Sequence, residues 1–293
     1  MSTWGGQQQG QQHGGRGRAD EQPRRKRKSR KGDEKPLVAP TPPPLADSRA
    51  QRVVYVGCEG ESTEPDYLNY LNERFGDGSR TGKQPFRIQP VYEKNGLTPS
   101  RVVATVQKRA QEDEAWALFD RDQHHDIPEA LDLAAEKKTE VCFSHPSFDL
   151  WLLLHFQAFG GRRSGSSEDV VRALRQADPA FRNFDRRNDK SVKDGRRKAL
   201  EDQEQKAVDH ARSLVGQCEH GSCKANRSKH KRVDPGDAPA STEAWAARSG
   251  HATDCPVLDR DPSTDVWRLL MRLGIVDDPA ESYRQASWNS WGT

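Results

Sequence analysis

The middle of this 293-residue chain predicts an α/β fold, a mostly parallel sheet flanked by helices. Three observations carry that prediction. Four short runs, Val53–Val56, Phe86–Tyr92, Ala115–Phe119 and Thr139–Phe143, read as strands, and the first is a continuous β-branched and aromatic run of the kind covered on both faces. Each run is followed by a helix-start signal: Thr63-Glu64-Pro65-Asp66, Thr98-Pro99, Asp126-Ile127-Pro128 and Pro146. Strands and helices that alternate in this way form parallel pairs with right-handed crossovers.

Taken in order, Val53–Val56 is strand 1, and Gly57-Cys58-Glu59-Gly60-Glu61 turns the chain. Thr63 with Asp66 three residues on fits a capping box, with Pro65 tolerated in the first turn of a helix that ends near Phe75 before Gly76-Asp77-Gly78. Phe86–Tyr92 is strand 2, and Asn95-Gly96 turns into a second helix reaching about Gln111. Ala115–Phe119 is strand 3, followed by Asp120-Arg121-Asp122 and a helix ending near Lys138. Thr139–Phe143 is strand 4, and the apolar stretch Phe148–Phe156 is a helix. Beyond Gly160 the periodicity weakens. Segments 168–177 and 196–215 read as amphipathic helices, 216–258 as a polar insertion, and Pro262–Val276 as a last helical element with Val266, Trp267, Leu269, Leu270 and Leu273 on one stripe.

The domain reading is therefore a disordered basic, proline-rich tail at 1–50, an α/β core at 51–158, a helical extension at 159–276 and a loose C-terminus at 277–293. Composition supports a core surrounded by polar segments, because only 32% of residues are apolar against 31% charged. The net charge of +3 divides unevenly. Residues 1–50 hold 11 basic and 5 acidic residues, leaving 36 and 39 for the rest, so the tail is near +6 and the body near −3. Attraction to phosphate from composition alone belongs to the tail, where a solubilising role is the simpler reading. Five scattered cysteines do not form a secreted disulfide framework, and no apolar span of about 18 residues occurs, so a cytoplasmic protein without a membrane segment is expected.

The strand C-terminal ends of such a sheet share one edge, which receives Glu59, Glu93, Asp120, Asp122 and the segment His145–Asp149. Asp120 and Asp122 are hard oxygen ligands suited to Mg²⁺, and with Glu59 they make three convergent acids that would repel one another without a cation or basic substrate. An Asp-x-Asp before a helix is also a common capping pattern. Arg121 could meet a phosphate or face solvent, and Glu64 could cap its helix or support the site. His145 and Asp149, one helical turn apart, could touch substrate or its water, whereas His155 is more simply a core histidine. A nucleotide-phosphate loop is disfavoured, since neither G-x-G-x-x-G nor a Gly-Lys-Ser/Thr ending is present. Cys218, His220 and Cys223, with His230, His251 and Cys255 nearby, invite a zinc reading, but they lack the paired C-x₂-C spacing of well-marked sites, so zinc there is unlikely.

Three ordered motifs together resemble the RloB-like family. They are Cys58-Glu59-Gly60-Glu61-Ser62-Thr63-Glu64-Pro65, Phe119-Asp120-Arg121-Asp122, and His145-Pro146-Ser147-Phe148-Asp149-Leu150-Trp151, with a weaker match at Asp261-Pro262-Ser263-Thr264-Asp265-Val266. The resemblance implies a TOPRIM-like core with Glu59 as its catalytic glutamate and Asp120 and Asp122 as its metal-binding aspartates for Mg²⁺ or Mn²⁺, while Glu64, Arg121, His145 and Asp149 are, from their placement, candidates to touch substrate or to support these acids. At two positions the helix motif departs from the family, which usually has Glu where this chain has Asp149 and often Asn at His145. The implied function is a metal-dependent nuclease cutting RNA or DNA as an effector of bacterial anti-phage defence, with an ATPase encoded nearby as a possible partner. The alternative is a non-catalytic effector that binds nucleic acid or nucleotide and acts through that ATPase.

Overall fold

The computed structural model describes residues 51–121, 124–159, 166–220, 222–223, 249–252 and 254–277. The sequence readings of a disordered tail at 1–50 and a loose terminus at 278–293 lie outside these residues, as do most of the polar insertion and Asp122.

Five strands form one sheet in the order β2-β1-β3-β4-β5. They are β1 (Arg52–Cys58), β2 (Phe86–Val91), β3 (Glu114–Asp120), β4 (Glu140–His145) and β5 (Ser263–Thr264). The first four run parallel and β5 is antiparallel to β4. The helices are α1 (Thr63–Phe75), α2 (Pro99–Ala110), α3 (Ile127–Lys137), α4 (Asp149–Leu154), α5 (Ser167–Ala177), α6 (Asp194–Leu200), α7 (Glu204–Gln217) and α8 (Val266–Leu273). No helix among the described residues is long and apolar enough to cross a membrane.

Side-chain alternation along each strand divides the core in two. Trp116 and Leu118 of β3 join Val54, Val56 and Cys58 of β1 in a cluster with α1, α4, α5, α7 and α8. Ala115, Ala117 and Phe119 point the other way, against Val102, Val103 and Val106 of α2 and Ile127, Ala130 and Leu131 of α3. The strand order explains the split. From β1 the chain steps outward to β2, then returns past β1 to β3, and right-handed crossovers put the two connections on opposite faces. The sheet therefore has a switch point between the C-terminal ends of β1 and β3, where α/β sheets open a crevice.

Gly57 shows how tightly α2 lies on β1. A Cβ there would fall 2.8 Å from Val102 Cγ1 and 3.0 Å from Val106 Cβ. Gly57→Ala is expected to cost about 1–3 kcal/mol through overpacking. Urea unfolding checks this, and an unchanged midpoint would contradict the close approach.

Several elements differ from the sequence reading for identifiable reasons. Strands β3 and β4 each extend one or two residues further, and the ladder continues as the Arg121 N–H donates to the Ser144 carbonyl at 2.8 Å. The helix expected over 196–215 is two helices. Between them Asp202 adopts φ 63°, and Arg74 pairs with both Glu201 and Asp202. The capping box at Thr63 and Asp66 is not formed: Ser62 is the N-cap and makes no side-chain cap bond. Instead Thr63 Oγ1 donates to the Lys190 carbonyl at 3.0 Å, and Asp66 accepts from the Val192 N–H at 3.0 Å. Those two bonds fasten segment 190–192 over the start of α1. His155 is a satisfied core histidine, bonded to the Trp151 carbonyl and Tyr67 hydroxyl, and burial holds its pKa down at about 4.

Candidate active site

A cleft of about 910 Å³ opens at the switch point, lined by Glu59, Glu64, Asp120, Asp149, Lys190 and residues of the β2–α2 turn. Glu59 follows β1 directly. One of its carboxylate oxygens accepts the Asp120 backbone N–H at 2.9 Å and the other meets His124 Nε2. Glu59 thus joins the ends of β1 and β3, and its orientation is set from both sides. Its own carbonyl accepts from the Leu97 N–H at 2.9 Å, where Gly96, at φ +75°, allows the turn to approach.

Glu64 lies in the first turn of α1 and is 8% exposed. Burial raises its pKa to about 7, with Glu59 and Asp149 adding repulsion against hydrogen bonds from its own N–H and that of Gly60. Gly60 gives this carboxylate room: a Cβ there would stand 3.0 Å from Glu64 Oε2. Asp120, at the end of β3, is pushed well above the usual carboxylate range by burial and then by Glu59 and Glu64, although the Phe148 N–H favours its charged form. Asp149 begins α4, is 3% exposed and pairs with Lys190 Nζ at 3.1 Å. Burial opposes the charge on Lys190, but Asp149 outweighs it and raises the lysine pKa.

Of the residues expected at the site, Glu59, Glu64, Asp120 and Asp149 are brought together. Asp122 lies outside the described residues. His145 is placed elsewhere, in a second cavity with Asp259, Arg260 and Asp261, where its Nε2 lies 3.9 Å from Asp261 Oδ2. The expectation that His145 and Asp149 share a helical face fails because α4 begins only at Asp149. The charge of Arg121 bears on His145, so this arginine belongs to that side as well. Glu61 is exposed at the cleft rim. Sequence reasoning missed His124 and Lys190. His124 follows the Asp-x-Asp pair closely enough to have been noticed, whereas nothing local marks Lys190, which reaches the cleft through the bonds that hold residues 190–192 on α1.

The cleft therefore concentrates negative charge at the ends of two strands, with Lys190 as counter-charge to Asp149. Such an arrangement fits a hard divalent cation, which takes one or two carboxylates and keeps its other positions for water and substrate oxygens. Among the described residues, the potential ligand group whose donor atoms all lie within 4.8 Å of one another is Cys218, Cys223, His251 and Cys255.

The raised pKa of Glu64 has a measurable consequence in chelated protein. A carboxyl whose folded pKa exceeds its unfolded value holds its proton more tightly when folded. Its stabilising contribution is complete below about 4.5 and is lost as pH rises through about 7. At about 1.4 kcal/mol per unit the loss at pH 8 is at most about 3 kcal/mol. In chelator, Glu64→Gln should melt above wild type at pH 8, with the difference shrinking by about pH 5. A variant that melts below wild type at both pH values would contradict the cause assigned here.

A model of the RloB-like protein family matches residues 54–273, from β1 through α8. No curated protein and no solved structure matches the chain. The matched span covers well over half of the sequence and includes every acid of the cleft, and the chain belongs to the RloB-like protein family.

Proposed function

We propose that this protein is a metal-dependent nuclease with a TOPRIM-like site, cutting RNA or DNA as the effector of a bacterial anti-phage system. The observation that carries the reading is the gathering of buried Glu64 and half-buried Asp120 beside Glu59 at the sheet's switch point, an arrangement that a cation would stabilise. Asp120 and Glu59 would hold Mg²⁺ or Mn²⁺, and Asp122 joins them by the family resemblance. The bound metal supplies Lewis-acid polarisation of a phosphodiester and neutralises developing charge.

The protein's own groups then have distinct tasks. Glu59, fixed by the Asp120 N–H and by His124, presents a carboxylate that cannot swing away. Glu64 has a pKa of about 7, near the working pH, as suits a group that takes a proton from water or returns one to the leaving oxygen. Lys190 can exchange its contact with Asp149 for a phosphate oxygen, and Arg101, paired with Glu93 at 3.0 Å, also lines the cleft. With a body near −3, approach of nucleic acid depends on these cations, the metal and the basic run Arg24–Lys31.

A second reading is a non-catalytic effector that binds nucleic acid or nucleotide in the same cleft and acts through an ATPase partner. One experiment separates the two. The purified full-length chain is incubated with labelled single- and double-stranded DNA, tRNA and messenger RNA in Mg²⁺, Mn²⁺ or chelator, alone and with the ATPase encoded nearby. Metal-dependent cleavage lost in Glu59→Gln supports the nuclease. Cleavage that survives unchanged in Glu59→Gln and Asp120→Asn rejects the site. Binding without cleavage, together with co-purification of the ATPase, supports the second reading.

A further inference from the structure

The cysteines at the end of α7 form a separate constellation. Cys218 follows the last turn of α7 and Cys223 lies five residues on. His251 and Cys255 lie near the C-terminal end of the same polar insertion. Cys218 Sγ lies 3.7 Å from Cys255 Sγ, while His251 Nδ1 lies 3.4 Å from Cys223 Sγ and 3.6 Å from Cys255 Sγ. All four donor atoms fall within 4.8 Å of one another. A disulfide needs its sulfurs about 2.05 Å apart, so the cysteines are not cross-linked. A zinc tetrahedron with bonds of about 2.3 Å to sulfur and about 2.05 Å to nitrogen has edges of about 3.8 Å between sulfurs and about 3.5 Å from sulfur to nitrogen. The observed separations match those edges.

The surroundings are built to hold these ligands. The Ala252 N–H donates to Cys223 Sγ at 3.2 Å, a bond that favours a thiolate. Ser222 binds both oxygens of Asp254 through its N–H and hydroxyl, each at 2.8 Å, which locks the two ligand-bearing turns together. Arg260 donates to the Cys255 carbonyl at 3.1 Å. The local apolar cluster consists of Cys223, Ala252 and Cys255, with Cys218 packed against it, too little to order these turns by burial alone. Cys218-x₄-Cys223 and His251-x₃-Cys255 also fall within the spacings that zinc ligand pairs use.

We propose that Cys218, Cys223, His251 and Cys255 bind a structural zinc ion through three thiolates and one imidazole nitrogen. Soft thiolates in tetrahedral array select zinc, and four protein ligands leave no position for substrate. The ion would tie the end of α7 to the segment leading into β5 and α8, closing the insertion at its base. The site uses His251 and Cys255 in place of His220, whose Nδ1 lies 3.8 Å from Cys218 Sγ.

The test is metal analysis of the full-length chain purified in reductant without chelator. About one zinc per chain is expected, and replacement by Co²⁺ should give the intense visible bands of a tetrahedral thiolate site. Cys223→Ser and Cys255→Ser should lower occupancy at least about tenfold, while His220→Ala and Cys58→Ala leave it unchanged. Because the serine variants can fail to fold, folded wild type is also treated with a mercurial, which should release zinc in step with thiol modification. A reduced, folded wild-type chain that carries no zinc and takes up no cobalt overturns the site. So does loss of metal in His220→Ala with retention in His251→Ala.

Discussion

Asp120→Asn is expected to lower metal-dependent cleavage by about 10³-fold or more and, in the same protein, to raise thermal stability in chelator at pH 8. The first effect follows from losing a ligand to a cation that stabilises several kcal/mol of developing charge, at about 1.4 kcal/mol per decade of rate. The second follows from position. Asp120 is half-buried beside Glu59 and Glu64, and desolvation together with those two acids raises its pKa, so an uncharged isostere relieves repulsion. Asparagine keeps an acceptor for the Phe148 N–H and leaves unchanged the backbone N–H that Glu59 grips. An acid with a purely structural role would show the opposite pairing, with stability falling and cleavage following it. Initial rates at saturating Mg²⁺ and melting curves in chelator separate the outcomes, and full activity in the variant sinks the metal role of Asp120.

The same reasoning explains why Mg²⁺ should shift the balance back. On the proposed metal role, added cation would bind the folded state, whose acids are assembled, in preference to the unfolded chain, and so would raise the melting temperature of wild type with its concentration. The shift should be smaller in Asp120→Asn and in Glu59→Gln. Stability lost to clustered acids is then recovered when the ligand arrives, the usual trade at a site held ready for charge.

The sequence made the sheet and two of its acids legible because the signals were local. Val53–Val56 and Ala115–Phe119 are continuous apolar runs, so Glu59 and Asp120 follow strand ends almost by counting. What escaped lay in pairings between distant segments. β5 has only two residues, no periodicity to read, and is defined by Ser144 facing Thr264 across the sheet. Lys190 reaches Asp149 through the bonds that Thr63 and Asp66 make to residues 190 and 192. His145 was misplaced by assuming helical geometry one turn too early. The cysteine group was discounted on spacing although His251 and Cys255 stood nearby, because no paired C-x₂-C marks it and only the fold brings the four donor atoms within 4.8 Å of one another.

Arg268→Leu is expected to destabilise the protein by about 3–5 kcal/mol, the largest loss anticipated for a single side chain outside the cleft. Arg268 of α8 is fully buried, and its Nη2 donates to Glu140 Oε2 at 2.6 Å and its Nη1 to the Val141 carbonyl at 2.8 Å. Its guanidinium carbon stands 5.7 Å from the centre of the Trp116 ring. Removing the arginine takes from Glu140, 5% exposed, the guanidinium paired with it at 2.6 Å, which weakens the compensation of a buried carboxylate. The cost is therefore mainly that of the less compensated partner, and the double variant Arg268→Leu with Glu140→Met should recover most of it. The pair also bears on function, because β4 lies beside β3 in a register that sets Ser144 opposite Asp120. If α8 fixes β4 through Arg268, cleavage should fall in the single variant and return with stability in the double. Urea unfolding of the two single variants and the double measures the coupling, and a double variant no more stable than Arg268→Leu would reject the buried-charge account.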